Sequence, residues 1–160
     1  MSRPADALPH ALQPYWDLPL AAVQAEALQL ALAEDLFETL ASPCTPEALA
    51  QMHAWQPEAT RHWLTLLWSM QLLDRSCDAE GEWHYTSSEV ARRYLASSLA
   101  LDCGDAWRFR LASLRDFGAG LADGLRGQSR PAPLANGERW AVAARGHLAR
   151  EQAAVTAPAA

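Results

Sequence analysis

The feature that most constrains this chain is a repeated helix opening followed by a short hairpin, all within Thr45–Tyr94. Thr45-Pro46-Glu47 offers an N-cap hydroxyl, a proline at the first helical position and a carboxylate facing the helix dipole. Pro57-Glu58 repeats the proline–acid opening, with Trp55-Gln56 as the turn between the two. The first helix carries Leu49 and Met52 and ends near His53. The second presents Trp63, Leu64, Leu67, Trp68, Met70 and Leu72 as a broad apolar surface. Leu73–Ser76 reads as a strand, Asp78-Ala79-Glu80-Gly81 as a turn, and Glu82–Tyr85 as a return strand with alternating faces. Thr86, with Glu89 three residues on, marks a capping-box start for a helix reaching Tyr94 and Leu95. Helix, turn, helix, hairpin is the order of a winged helix-turn-helix. That fold serves both DNA binding and protein assembly, so it names no function by itself.

The flanks are helical. Residues 1–18, with Pro4, Pro9 and Pro14, read as an extended N-terminal arm anchored by Tyr15 and Trp16. Residues 19–41 form a helix with Pro19 near its first turn. Its N-terminal half is apolar nearly all round, because Leu20 and Leu28 intrude on the polar side. Such a helix is covered from several directions, either inside a monomeric core or by a second subunit. From Asp105 to Leu125, the residues Trp107, Leu111, Leu114, Leu121 and Leu125 recur at helical spacing. Residues 126–137 are a breaker-rich loop, and 138–160 a C-terminal amphipathic helix and tail. The expected fold class is mostly α, with a winged helix-turn-helix core, a small β-hairpin wing and flanking helices over residues 19–125.

Charge and chemistry narrow the function. Residues 45–95 hold seven acids against four arginines, so binding to a polyanion would begin with repulsion. The second helix of the motif offers Glu58, Thr60, Arg61, His62 and Thr65, a poor set for reading base edges. Asp116-Phe117-Gly118-Ala119-Gly120 superficially matches a nucleotide loop. It follows WRFRLASLR, which has helical spacing rather than the pattern of a buried strand, so its glycines are expected to loosen or end a helix. No HxH, HExxH or CxxC occurs. Cys77 and His84 could meet across the hairpin, but two ligands make no zinc site. Cys44, Cys77 and Cys103 are odd in number and scattered, and no nucleophile–base constellation is present. No run of eighteen apolar residues and no leader-like start occurs, so a cytoplasmic protein is expected.

Taken in order, the phrases resemble the N-terminal dimerisation domain of S-adenosylmethionine-dependent O-methyltransferases. Leu36-Phe37-Glu38-Thr39-Leu40-Ala41-Ser42 stands where that family has "gvFd-Las". Thr45-Pro46-Glu47-Ala48-Leu49-Ala50 matches its capped "eeLA" helix. Leu64–Leu73 matches "lLr-L-lGLL", and Trp83-His84-Tyr85-Thr86 the closing "Y-x-L-T". Gln71 replaces the usual glycine before the paired leucines, and Trp83 and Tyr85 depart from the family wing. The strand and glycine-rich loop that bind S-adenosylmethionine in the family have no counterpart here.

The resemblance implies a module for dimerisation and for capping a substrate pocket, not catalytic by itself. It implies a homodimer and a separate or missing methyltransferase catalytic domain, with S-adenosylmethionine bound only where that domain is supplied. Catalytic, cofactor and metal residues are therefore expected to be none. The expected dimer face comprises Leu20, Val23, Leu28 and Leu32, and the expected pocket-lining residues are Tyr15 and Trp16. The competing reading is a winged-helix transcription regulator. No nucleic-acid or membrane partner is expected.

Overall fold

The computed structural model describes residues 12–97 and 103–128. Among the described residues, helices and one hairpin follow in the order α1 (Gln13–Ala33), α2 (Leu36–Thr39), α3 (Pro46–His53), α4 (Pro57–Ser69), β1 (Leu73–Cys77), β2 (Trp83–Ser87), α5 (Glu89–Leu95) and α6 (Gly104–Leu125). The architecture is mostly helical with a small two-stranded antiparallel sheet, as expected.

The central stretch folds as its sequence signals dictate. Thr45 caps α3, its hydroxyl accepting from the Ala48 amide at 3.2 Å, with Pro46 in the first turn. Both α3 and α4 end on left-handed residues, Ala54 (φ 56°) and Gln71 (φ 62°). At each end two amides turn back onto the last turn of helix. Trp55 donates to the Ala50 carbonyl and Ala54 to Gln51, while Leu72 donates to Leu67 and Gln71 to Trp68. These are Schellman closures, which favour glycine at the left-handed position. The glycine that the family phrase carries at Gln71 thus has a backbone reason, and this chain meets it with a non-glycine residue.

In the hairpin Leu73 pairs with Ser87, Arg75 with Tyr85 and Cys77 with Trp83. Cys44 exchanges both backbone hydrogen bonds with Tyr85 and so adds a third, single-residue rung. The buried Tyr85, Leu73, Leu64, Leu67, Leu49 and Phe37 form the centre of the core.

Four boundaries differ from the sequence reading. The helix expected from Pro19 starts at Gln13, and Pro14 occupies its first turn. Residues 13–18 are therefore helical rather than extended. Pro19 lies inside α1, on an exposed stretch where water can serve the carbonyl that loses its amide partner. The helix also breaks at Asp35, which is left-handed (φ 48°), and the turn drives Leu36 and Phe37 into the core. Thr86 is still in β2. The cap of α5 is Ser88, whose hydroxyl accepts from the Ala91 amide. Finally, α6 runs unbroken through Gly118 and Gly120 to Leu125. The expected helix after residue 138, and most of the loop before it, lie outside the described residues.

Candidate functional site

The surface with the most functional content is built by α1 and α6. Arg108 donates from Nε to the Leu32 carbonyl at 3.1 Å and lies 3.4 Å from an Asp35 carboxylate oxygen. One heptad later Arg115 grips Glu26 with both its Nε, at 2.8 Å, and a terminal nitrogen. The order of these contacts makes α1 and α6 antiparallel, so the start of α1 lies at the same end of the protein as the finish of α6.

At that end both helices carry exposed apolar side chains. Among the described residues, ten of the fifteen exposed large apolar side chains lie on these two helices, which places the open apolar surface there and not on the central motif. On α1, Trp16, Leu20, Val23, Ala27 and Leu30 recur at spacings of four and three. On α6, Trp107, Leu111, Leu114, Gly118, Leu121 and Leu125 do the same. Such alternation is the spacing of a seam that packs against another helix. Trp107 and Leu111 lean on the protomer's own core, whereas Leu114, Leu121 and Leu125 are exposed. Apolar side chains left open on two neighbouring helices are suited to an interaction site.

The residues singled out from sequence separate on this frame. Leu20 (51% exposed) and Val23 (55%) stand open on the α1 seam. Leu28 is half-buried against the core. Leu32, at 1% exposed, is inside the protomer's own core and has no surface to offer a partner. Periodicity could not make that distinction, because a residue buried by its own chain and one buried by another share the same spacing. Tyr15 and Trp16 are exposed near the start of α1. The α6 leucines were visible as a helical pattern, but that they outrun the core was not.

The central motif offers a different surface. On α4, Arg61 is paired with Glu47, and Thr65 bonds the Arg61 carbonyl at 2.8 Å and the Tyr85 hydroxyl at 3.1 Å. The polar groups at the start of α4 are thus partly engaged within the fold. On the hairpin the Arg75 guanidinium lies between two indoles, 3.4 Å from the Trp68 ring centre and 4.5 Å from that of Trp83. The departure at Trp83 therefore has a structural role, since the stack ties the hairpin to α4.

At the hairpin tip Asp78 accepts the amides of Glu80 and Glu82 on one oxygen and meets His84 Nε2 at 2.8 Å on the other. The His84 contact, then the Glu82 amide, hold the Asp78 carboxyl below its ordinary range. Asp78, Glu82 and His84 bring their ligand atoms within 4.8 Å of one another. Two of the three already close the turn, so this grouping reads as a hairpin staple. Cys77 and His84 occupy non-paired positions of the two strands, and His84 faces Asp78 instead. Cys44, Cys77 and Cys103 form no disulfide, and burial pushes the Cys44 thiol up. Among the described residues no helix is long and apolar enough to cross a membrane.

The fold that carries these surfaces matches a family model for the O-methyltransferase dimerisation domain over residues 16–97. The chain belongs to that family. The matched span runs from Trp16 through the hairpin to just past α5. The fold is also that of solved methyltransferase structures. An O-methyltransferase family protein from Burkholderia thailandensis is 19% identical, with a TM-score of 0.73 over 93% of this chain and 44% of that one. Human N-acetylserotonin methyltransferase, solved with SAM, is 19% identical with a TM-score of 0.67, over 76% of this chain and 36% of that one. An O-methyltransferase family 2 protein from Planctomyces limnophilus, solved with apigenin, is 23% identical with a TM-score of 0.56, over 89% and 41%. This dimerisation-domain chain thus spans less than half the length of each of these three structures. No curated protein sequence matches it.

Proposed function

We propose that this chain is the self-association module of a small-molecule O-methyltransferase and works as a homodimer joined through α1 and α6. One observation carries the reading: the antiparallel helices α1 and α6 expose Trp16, Leu20 and Val23 on one and Leu121 and Leu125 on the other at the same end. Exposing such surface is unfavourable by roughly 25 cal/mol per Å2, and pairing with a second copy removes it from water.

In this reading the helix–turn–helix and hairpin are a winged helix-turn-helix used as packing core, in a cytoplasmic protein. Tyr15 and Trp16, exposed near the start of α1, cap a substrate pocket whose other walls belong to a catalytic domain. S-adenosylmethionine binds to that domain and not to this chain. Nucleic acid is not a partner, because the start of α4 carries Glu58 and an arginine already paired with Glu47.

Light scattering on the purified chain tests the reading. The wild type is expected to give the mass of two chains. Val23→Glu and Leu121→Glu, both at exposed positions, are expected to give folded monomers. A dimer that survives both substitutions would place its interface elsewhere. Titration calorimetry with S-adenosylmethionine is expected to show no heat of binding, and a low-salt duplex DNA shift assay no complex.

A further inference from the structure

We infer that the tip of the hairpin is a site for a divalent d-block cation, with zinc the best fit, held by Asp78, Glu82 and His84. Register brings the three together. The Asp78 amide donates to the Glu82 carbonyl at 3.0 Å, so the ladder runs one pair beyond Cys77 and Trp83. Side chains two apart on a strand share a face, so Glu82 and His84 stand on the face that Asp78 occupies across the turn. Their donor atoms, one imidazole nitrogen and two carboxylate oxygens, all lie within 4.8 Å of one another. That mixture suits zinc, because magnesium and calcium take oxygen donors while imidazole selects the later d-block metals.

Three further observations point the same way. His84 Nε2 and Asp78 Oδ2 are 2.8 Å apart. Donors each about 2 Å from one ion lie roughly 3 Å from each other, so little movement admits the ion between them. The other oxygen of Asp78 is fixed by the amides of Glu80 and Glu82, the kind of support that orients a ligating carboxylate. Lastly, residues 73–87 carry Asp74, Asp78, Glu80 and Glu82 against one arginine, and the Arg75 guanidinium is taken up between the rings of Trp68 and Trp83. Without the metal, the His84–Asp78 contact staples the turn. With it, the ion replaces the shared proton, recruits Glu82 and keeps a coordination position for water.

Zinc chloride titrated calorimetrically into the purified, chelator-treated chain tests the site. Saturable binding is expected, with a matching rise in the temperature of thermal unfolding. Magnesium chloride at the same concentration is expected to give neither. Glu82→Gln removes an exposed carboxylate and leaves the His84–Asp78 contact in place. It is expected to leave metal-free stability unchanged and to weaken zinc binding by roughly tenfold or more. His84→Gln is expected to abolish saturable binding while the far-ultraviolet circular dichroism stays helical. Cys77→Ser is expected to bind zinc as the natural chain does, which sets aside the neighbouring exposed thiol as the ligand. The site is overturned by a lack of saturable zinc binding, or by unchanged affinity in either Glu82→Gln or His84→Gln. Loss of binding in Cys77→Ser, or a magnesium response equal to that of zinc, would overturn it as well.

Discussion

Arg108 on α6 closes the C-terminal end of α1 by donating to the carbonyl of Leu32. The last carbonyls of a helix have no partner within it, and the last turn of α1 contains no basic residue. The cation that suits this end comes instead from a helix 76 residues away in sequence. The contact secures the left-handed turn at Asp35 and fixes where α6 leaves the core.

Removing that donor leaves the Leu32 carbonyl short of a partner. Arg108→Met keeps most of the aliphatic stem and is expected to cost about 1–2 kcal/mol in urea-induced unfolding. Arg115→Met breaks a more exposed pair, screened by water, and is expected to cost less. Equal losses in the two variants would contradict a capping role for Arg108.

Gln71 and Ala54 hold left-handed backbone at the ends of α4 and α3, where a side chain is disfavoured. Gln71→Gly and Ala54→Gly are each expected to stabilise the chain by a few tenths to about 1 kcal/mol. The strain relieved exceeds the entropy a glycine adds to the unfolded chain. Thermal unfolding of the two single variants and the double variant checks this, and the two gains are expected to add because each closes its own helix.

The hairpin staple gives a pH dependence of known sign. The folded state holds the Asp78 carboxyl below its ordinary value, chiefly through His84. Its stabilisation is therefore fully present above the unfolded carboxylate range, near pH ~3.9, and is lost as pH falls through the lowered folded value. Fluorescence of Trp83, beside the staple, is expected to stay constant through mild acid and change only below that range. Asp78→Asn is expected to be less stable than the natural chain at neutral pH and to lose less stability on acidification. A natural chain and an Asp78→Asn variant with parallel acid curves would remove the staple from the account.

Much of this architecture was legible in the sequence, and the failures have physical causes. From Thr45 to Tyr85 the elements are set by local devices, namely a capping hydroxyl, prolines in first turns and a glycine in a turn, so the reading of residues follows the structure closely. Local chemistry failed where tertiary contacts decide. Pro14 and Pro19 are equally good helix openers by type, and nothing near them shows that the helix tolerates the second inside it. The break at Asp35 lies in a run of good helix formers and exists because Leu36 and Phe37 turn inward while Arg108 holds the end of α1. The candidate surface was half legible. Spacing identified apolar faces on both flanking helices, but only the fold shows Leu32 inside the core and Leu114, Leu121 and Leu125 beyond it.

Two copies of this chain that join through α1 and α6 must associate reversibly with concentration. Sedimentation equilibrium of the natural chain, from nanomolar to tens of micromolar, tests it most directly. The expected result is a reversible rise to the mass of two chains, abolished in the Val23→Glu, Leu121→Glu double variant while its far-ultraviolet circular dichroism stays helical. A natural chain that remains a well-folded monomer across that whole range would contradict it.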